Sequence, residues 1–274
     1  MKLTDRLHAL YPDASRRSIR QWLATSRVRV NGTVVGRGDL EVAPRDRVTL
    51  TAPAPLECPP PLELVHEDQD ILVIEKPPGL LTIATDRERE RTAYRLLREW
   101  VVARGGSHAP LFIVHRLDRE TSGLIVFAKS ESTKRHLQAQ FAARTAERVY
   151  VALVEGVVAQ DEGTLVSRLV EDRSLRVRTA GRGGGKEAIT RYRVLERRRT
   201  ATLLELALVT GRRAQIRAQL AEAGHPIAGD AQYGGRTNPL RRLALHATRL
   251  AFVHPRGGTV SFESPAPAAF GRRA

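Results

Sequence analysis

Between residues 51 and 61 the chain reads TAPAPLECPPP. Pro53, Pro55, Pro59, Pro60 and Pro61 remove backbone donors and favour extended chain, so no helix or central strand can run through this stretch. The chain is therefore expected to fold as two bodies: residues 1–50, a proline-rich linker over 51–61, and residues 62–274. Charge divides along the same line. Residues 1–50 carry ten basic and five acidic side chains, a net +5 out of the +15 of all 274 residues, so the smaller part is the more basic per residue.

Hydrophobic residues make up 42% and aromatics 5% of the chain, a composition that supports packed cores and excludes wholesale disorder. A single cysteine, Cys58, excludes an internal disulfide and any zinc-binding cysteine pair. The first residues, MKLTDRLHALYPDASRR, lack the apolar core of a secretory signal, and nowhere do about 18 uncharged apolar residues run together. A soluble, cytoplasmic protein is expected. The basic residues are 40 Arg and only 5 Lys. Such an excess of cations attracts polyphosphate over long range, although a well-solvated surface would account for the number equally well.

Within the first part, Ser15 can cap a short helix that places Ile19, Trp22 and Leu23 on one face and Arg16, Arg17 and Arg20 elsewhere. Next, VRVNGTVV at 28–35 sets Asn31 and Gly32 between β-branched runs, the pattern of a tight hairpin, with Arg29 on its first strand. A basic helix beside a basic hairpin suits a phosphate backbone. This segment resembles the RNA-binding module named after ribosomal protein S-four, read here as SRRSIRQWLATSRVRVNG and PRDRV, with Ser26 and Arg45 where that pattern has glycine. RNA contacts by Arg16, Arg17, Arg20 and Arg29 are what the likeness implies.

From residue 62 onward, apolar runs at 71–75, 124–128, 149–154 and 203–209 read as strands, and 92–103, 131–143 and 212–223 read as helices. The interleaving is too uneven for repeated βαβ units. An α+β fold is expected, a mixed and largely antiparallel sheet with helices against it.

Polar residues His115 to Gly123 sit between two strand-like pieces in IVHRLDRETSGLIVFAKS. There Asp118 is flanked by Arg116 and Arg119, which favours an ionised carboxylate fit to act as a nucleophile or electrostatic stabiliser. The plainer reading is an aspartate capping a turn. The sequence order is not that of a kinase loop, and GRGGGKE at 181–187 lacks the first Gly and the Ser or Thr of a phosphate-binding loop, so it reads as a hairpin tip. The eight histidines show no metal-ligand spacing, and no metal site is expected. In TGRRAQIRAQLAEAGHPIAGDAQYGG, at 210–235, Arg217 projects beside a helical face of Ile216, Leu220 and Ala223, where it can grip a carboxylate or simply meet solvent.

Taken together, ILVIEKPPGLLT, HRLDRETSGLIVFAK, ERVYVALVEG, KEAITRYRVLE, TGRRAQIRAQLAEAGHPIAGDAQYG and LHATRLAFVHP resemble, in order, the motifs of RluA-type pseudouridine synthases. The likeness implies the pseudouridine synthase fold and a cofactor-free isomerisation of uridine in RNA. A monomer is expected. It implies Asp118 as the essential carboxylate, Arg217 as its ion-pair partner and Tyr150 as the active-site tyrosine. Arg116 would fill the space left by the flipped base, and Ile216 would lie against the uracil. His115, Thr121, Ser122 and Gly123 would shape the loop, with Lys76, Pro77 and Gly79 behind it. The chain departs from the pattern at Arg213, Ala214 and Gln219, where the family has Thr, His and His, and at Arg148, where it has Lys. Large-subunit ribosomal RNA is the expected substrate. Transfer RNA, an assembly factor with little turnover, and a glycosidase using Glu120 as a second carboxylate are the alternatives.

Overall fold

The computed structural model describes residues 1–24, 26–51, 57–86, 88–105, 109–172, 176–180 and 184–271. The chain divides into two compact units, Met1–Glu57 and Cys58–Ala274. The division falls inside the proline-rich stretch, of which residues 52–56 lie outside the described residues.

In the first unit, helices α1 (Leu3–Leu10) and α2 (Arg16–Ala24) pack with a three-stranded sheet of β1 (Val28–Val30), β2 (Thr33–Val34) and β3 (Val48–Leu50), in the order β2-β1-β3. Ser15 caps α2 by accepting the amide of Ser18. One face of α2 buries Ile19 and Leu23 with Leu3, Leu7, Val28 and Val42, which leaves Arg16, Arg17 and Arg20 exposed. Asn31 and Gly32 take positive φ of 52° and 85°, closing the hairpin. Ser26, where the likeness has glycine, also takes a left-handed φ of 57°. Arg29 donates to the carbonyl of Gly32, within its own turn.

The second unit opens with β4 (Glu63–Glu67), β5 (Ile71–Lys76), α3 (Ala93–Gly105), β6 (Phe112–Ile113), β7 (Ser122–Ala128) and α4 (Glu131–Ala143). It continues with β8 (Glu147–Glu155), β9 (Glu162–Glu171), β10 (Val177–Thr179), β11 (Lys186–Arg197), β12 (Ala201–Leu208) and α5 (Gln215–Glu222). After a 3₁₀ turn at Ala231–Tyr233 come β13 (Leu245–Val253), β14 (Thr259–Glu263) and α6 (Ala268–Gly271). Eleven strands form one sheet along the path β10-β9-β11-β12-β8-β13-β7-β5-β4, with β14 on β13 and β6 on β7. Among the strands so described, every pairing in this sheet is antiparallel except that of β13 with β7. The expected mixed α+β sheet is what forms.

The unbroken apolar runs have a simple cause, which is burial on both faces of the sheet. Leu72 and Ile74 of β5 pack with Leu97 and Trp100 of α3, whereas Ile71 and Val73 pack with Leu137 of α4. Ser130 caps α4 through the Thr133 amide, and Arg144 ends it at φ 63°. The parallel pairing sets Ser122 opposite His246 and Gly123 opposite Ala247. A Cβ on Gly123 would stand 2.3 Å from the Ala247 carbonyl oxygen, so only glycine lets the end of the Asp118 loop approach β13 this closely. The expected hairpin tip at 181–187 is corrected by the strand order. β10 and β11 flank β9 rather than pairing with each other, and residues 181–183 lie outside the described residues.

Candidate active site

Asp118 follows buried Leu117 in the loop between β6 and β7, and that loop is tied down from behind. Thr82 Oγ1 donates to the Leu117 carbonyl and accepts its amide, at 2.9 and 3.1 Å. Lys76, fully buried, donates to the carbonyls of Pro77, Leu80 and Arg119 at 2.7, 2.8 and 3.1 Å. Burial pulls its pKa down to about 7, against the opposing pull of the Glu120 and Asp118 charges. Three carbonyl acceptors match the three N–H donors of the ammonium, so the charged form ties the loop down most fully.

The neighbouring arginines do not serve Asp118 as their sequence positions suggest. Arg119 turns away, donating to the Gly79 carbonyl at 3.0 Å and meeting Glu120 at 3.6 Å, and Arg116 lies exposed. The cation that reaches Asp118 comes from α5: Arg217 Nη1 stands 3.6 Å from Asp118 Oδ2. Arg217 makes its bidentate grip on a different carboxylate. Its Nε and Nη2 donate to Asp230 at 2.7 and 2.8 Å, and Asp230 is only 1% exposed at its side chain. Nη2 also donates to Gln232 Oε1, and the guanidinium lies 4.7 Å from the centre of the Tyr233 ring. Burial lowers the Arg217 pKa, but the hydrogen bonds and charge of Asp230, with Asp118 adding, raise it above its ordinary value overall. Arg217 is thus a fixed cation with one N–H edge left for Asp118.

Helix α5 begins three residues later than its periodicity predicts, because Ala214 takes a left-handed φ of 46°. Gln215 closes the turn, its Oε1 accepting from Thr210 Oγ1 and the Arg212 amide. Gln219 Oε1 accepts from Thr190, and its Nε2 donates to Leu165, Ser167 and Ala188. Three departures from the family pattern therefore have structural places: Ala214 at the cap, Gln219 locking the helix to β9 and β11, and Arg213 paired with Glu171.

Asp118, Arg217, Arg116, Tyr150 and Ile216 all line one cleft of about 440 Å³, together with Arg148, Phe141 and Leu245. Asp118 is 21% exposed at its side chain, open to a substrate yet within reach of Arg217. Tyr150 is buried on β8, and burial pushes its phenol up to about 12, with Arg148 opposing and Asp118 reinforcing the shift. Ile216 is both a cleft wall and a core residue. His115 accepts the Val126 amide at Nε2 and stacks on Phe141 at 4.7 Å; burial, with Arg148 adding, pulls it down to about 3, so it is neutral. Glu120, the second carboxylate of the glycosidase alternative, is exposed and is absent from the cleft lining. Arg16, Arg17, Arg20 and Arg29 belong to the first unit.

Among the described residues, Asp68, Asp70 and His254 form a group with metal-ligand spacing, outside the cleft lining. Their atoms are already engaged, Asp68 with His66, His254 and two amides, and Asp70 with Arg256. Asp230 is the residue that reading the sequence missed. It stood inside the GDAQYG motif, but only the folded chain brings it to Arg217.

A buried cation that aims a carboxylate into a nucleoside-sized cleft, on a largely antiparallel sheet, defines a class that the comparisons name. Residues 70–222 match the RNA pseudouridylate synthase family, and the chain belongs to it. It is an RNA pseudouridine synthase. The RNA pseudouridine synthase YlyB of Bacillus subtilis is 37% identical over 264 residues, 93% of this chain and 87% of that protein. The ribosomal large subunit pseudouridine synthase D of Haemophilus ducreyi is 35% identical over 294 residues, covering 98% of this chain and 88% of its own. Human RNA pseudouridylate synthase domain containing 4 shares the fold at a TM-score of 0.64 and 24% identity, over 76% of this chain and 90% of that one. None of the described helices is long and apolar enough to cross a membrane.

Proposed function

We propose that this enzyme converts uridines of large-subunit ribosomal RNA to pseudouridine, with Asp118 as the reacting carboxylate. The likeness to a synthase named for that subunit, 35% identical over 98% of this chain, supports the substrate class. The observation that carries the chemistry is the run of contacts from Asp118 to Arg217 to Asp230 at the cleft, 3.6 Å and then 2.7 Å.

A paired uridine cannot reach such a cleft, so it is extruded at a cost of a few kcal/mol. Arg116, exposed on the cleft wall, takes the vacated place in the stack. The uracil packs against the Tyr150 ring, with Ile216 as a wall. Asp118 then adds to the ribose C1′ or removes a ribose proton, and both routes need a negative oxygen held toward the sugar, which Arg217 supplies. With its phenol pushed up to about 12, Tyr150 stays protonated at neutral pH, so it packs against the uracil as a neutral phenol rather than acting as the base that takes the C5 proton. The isomerisation neither gains nor loses electrons, so no redox cofactor enters it. In the first unit, Arg16, Arg17, Arg20 and Arg29 hold RNA phosphates in the manner of the S-four-type module.

Pseudouridine mapping in RNA from cells with and without the protein tests this reading. Loss at discrete uridines of large-subunit ribosomal RNA is expected. Loss confined to transfer RNA would overturn the substrate, and no loss in any RNA would overturn the activity.

A further inference from the structure

Arg148 and Tyr150 leave β8 two residues apart, hence on one face of the strand, and both line the cleft. Arg148 is only 9% exposed, with its guanidinium 5.4 Å from the centre of the Phe141 ring. Among the described residues it makes no hydrogen bond or ion pair, and its Nε is buried without a partner. Gly211 encloses it from another side, since a Cβ there would stand 2.3 Å from Nη1. Most side chains at 211 would therefore displace the guanidinium. A buried cation left without an anion is costly, by several kcal/mol for an ion in a dry interior. Burial also lowers the Arg148 pKa from its ordinary value, the Tyr150 phenol pulling the other way. The placement calls for an anion that arrives with the substrate.

Breaking the N1–C1′ bond of uridine makes one. Whether Asp118 adds to C1′ or removes a ribose proton, N1 departs with the bonding pair, and the detached uracil spreads the negative charge over N1, O2 and O4. C5 then bonds to C1′, releasing Asp118 in the first route or returning the proton to the ribose in the second. Finally the C5 hydrogen leaves as a proton while N1 gains one. Arg217 is occupied by Asp230 and Asp118, and Arg116 is exposed. A backbone phosphate stays at the mouth of a cleft that a base enters, so a cation as buried as Arg148 meets the base.

We propose that Arg148 is a catalytic residue of this isomerisation, donating to a carbonyl oxygen of the detached uracil and stabilising its negative charge while the ring turns. The proposal rests on the uridine-isomerase reading above. The test is single-turnover release of tritium from uridine C5 with enzyme in saturating excess over RNA, with the RNA Kd measured alongside. Arg148→Met should slow release about 100-fold while changing the RNA Kd less than about threefold. Arg148→Lys, which keeps the charge but not the fork, should slow it about 10-fold. In RNA carrying 5-fluorouridine, whose more acidic uracil holds negative charge more readily, each variant's deficit should shrink, read as consumption of the N1-linked nucleoside.

Release by Arg148→Met as fast as wild type at saturation would overturn the proposal. So would a raised Kd with an undiminished rate, which would assign Arg148 to a phosphate. If Arg148→Met fails to fold, Arg148→Lys carries the test: a smaller deficit on fluorouridine than on uridine supports the proposal, and equal deficits overturn it. A wild-type protein that releases no tritium from ribosomal or transfer RNA would overturn the isomerase reading itself, and this proposal with it.

Discussion

A guanidinium can meet two carboxylates at once when they approach different edges of its plane, and Arg217 does so. Asp230 takes Nε and Nη2, and Asp118 meets Nη1 at the longer distance of 3.6 Å. The asymmetry suits two roles, a buried anchor that never leaves and a reacting oxygen that must remain free to move. Replacing the anchor by Asp230→Asn keeps its size but removes the charge, leaving Arg217 to lean on Asp118. The unfolding free energy should fall by about 3 kcal/mol, as for a broken buried pair, and single-turnover release should slow by at least about 10-fold. Denaturant titration and tritium release measure the two effects. An Asp230→Asn protein with wild-type stability and rate would show that Asp118 needs no anchored partner.

Turns that join elements also carry titratable ties. Asp68, in the turn between β4 and β5, accepts from His66 and from the amides of Asp70 and Ile71, and pairs with His254 beyond β13. Burial would raise its pKa, but these hydrogen bonds and the His254 charge bring it from 3.8 down to about 2. A carboxylate lowered on folding stabilises the fold fully above its unfolded pKa and loses that contribution as pH falls through its folded value. The stability difference between wild type and Asp68→Asn should therefore reach about 2 kcal/mol near pH 5 and shrink toward pH 2. Urea titrations across that window check it, and a pH-independent difference would contradict it. Elements such as β5, β7, β8 and α4 were legible because doubly buried strands and capped helices write their pattern locally, as ILVIE and Ser130 do. The start of α5 was not, because the side chain of Gln215 and the left-handed Ala214, rather than periodicity, set it. Asp118 and Arg217 could be picked out from their motifs, whereas Asp230, the lock made by Gln219 and the lone cation of Arg148 exist only once distant segments meet.

At the scale of the whole molecule, the chain comprises a small basic unit and a larger unit that contains the entire described cleft. Deleting residues 1–57 should weaken binding to long ribosomal RNA at low salt. It should also make the dependence of log K on log salt shallower, by about 0.7 for each single-strand phosphate that the shortened protein no longer neutralises. Activity on a saturating short substrate should persist, because Asp118, Tyr150, Arg148 and Arg217 all belong to the second unit. Equal affinities and slopes for the full-length and shortened proteins would remove the RNA role of the first unit. The proposed isomerisation turns on the carboxylate of Asp118, and Asp118→Asn removes its charge with almost no change of shape. In the Asp118→Asn variant, tritium release from C5-labelled uridine in ribosomal RNA should disappear while RNA affinity stays within about threefold; undiminished release would contradict the role of Asp118.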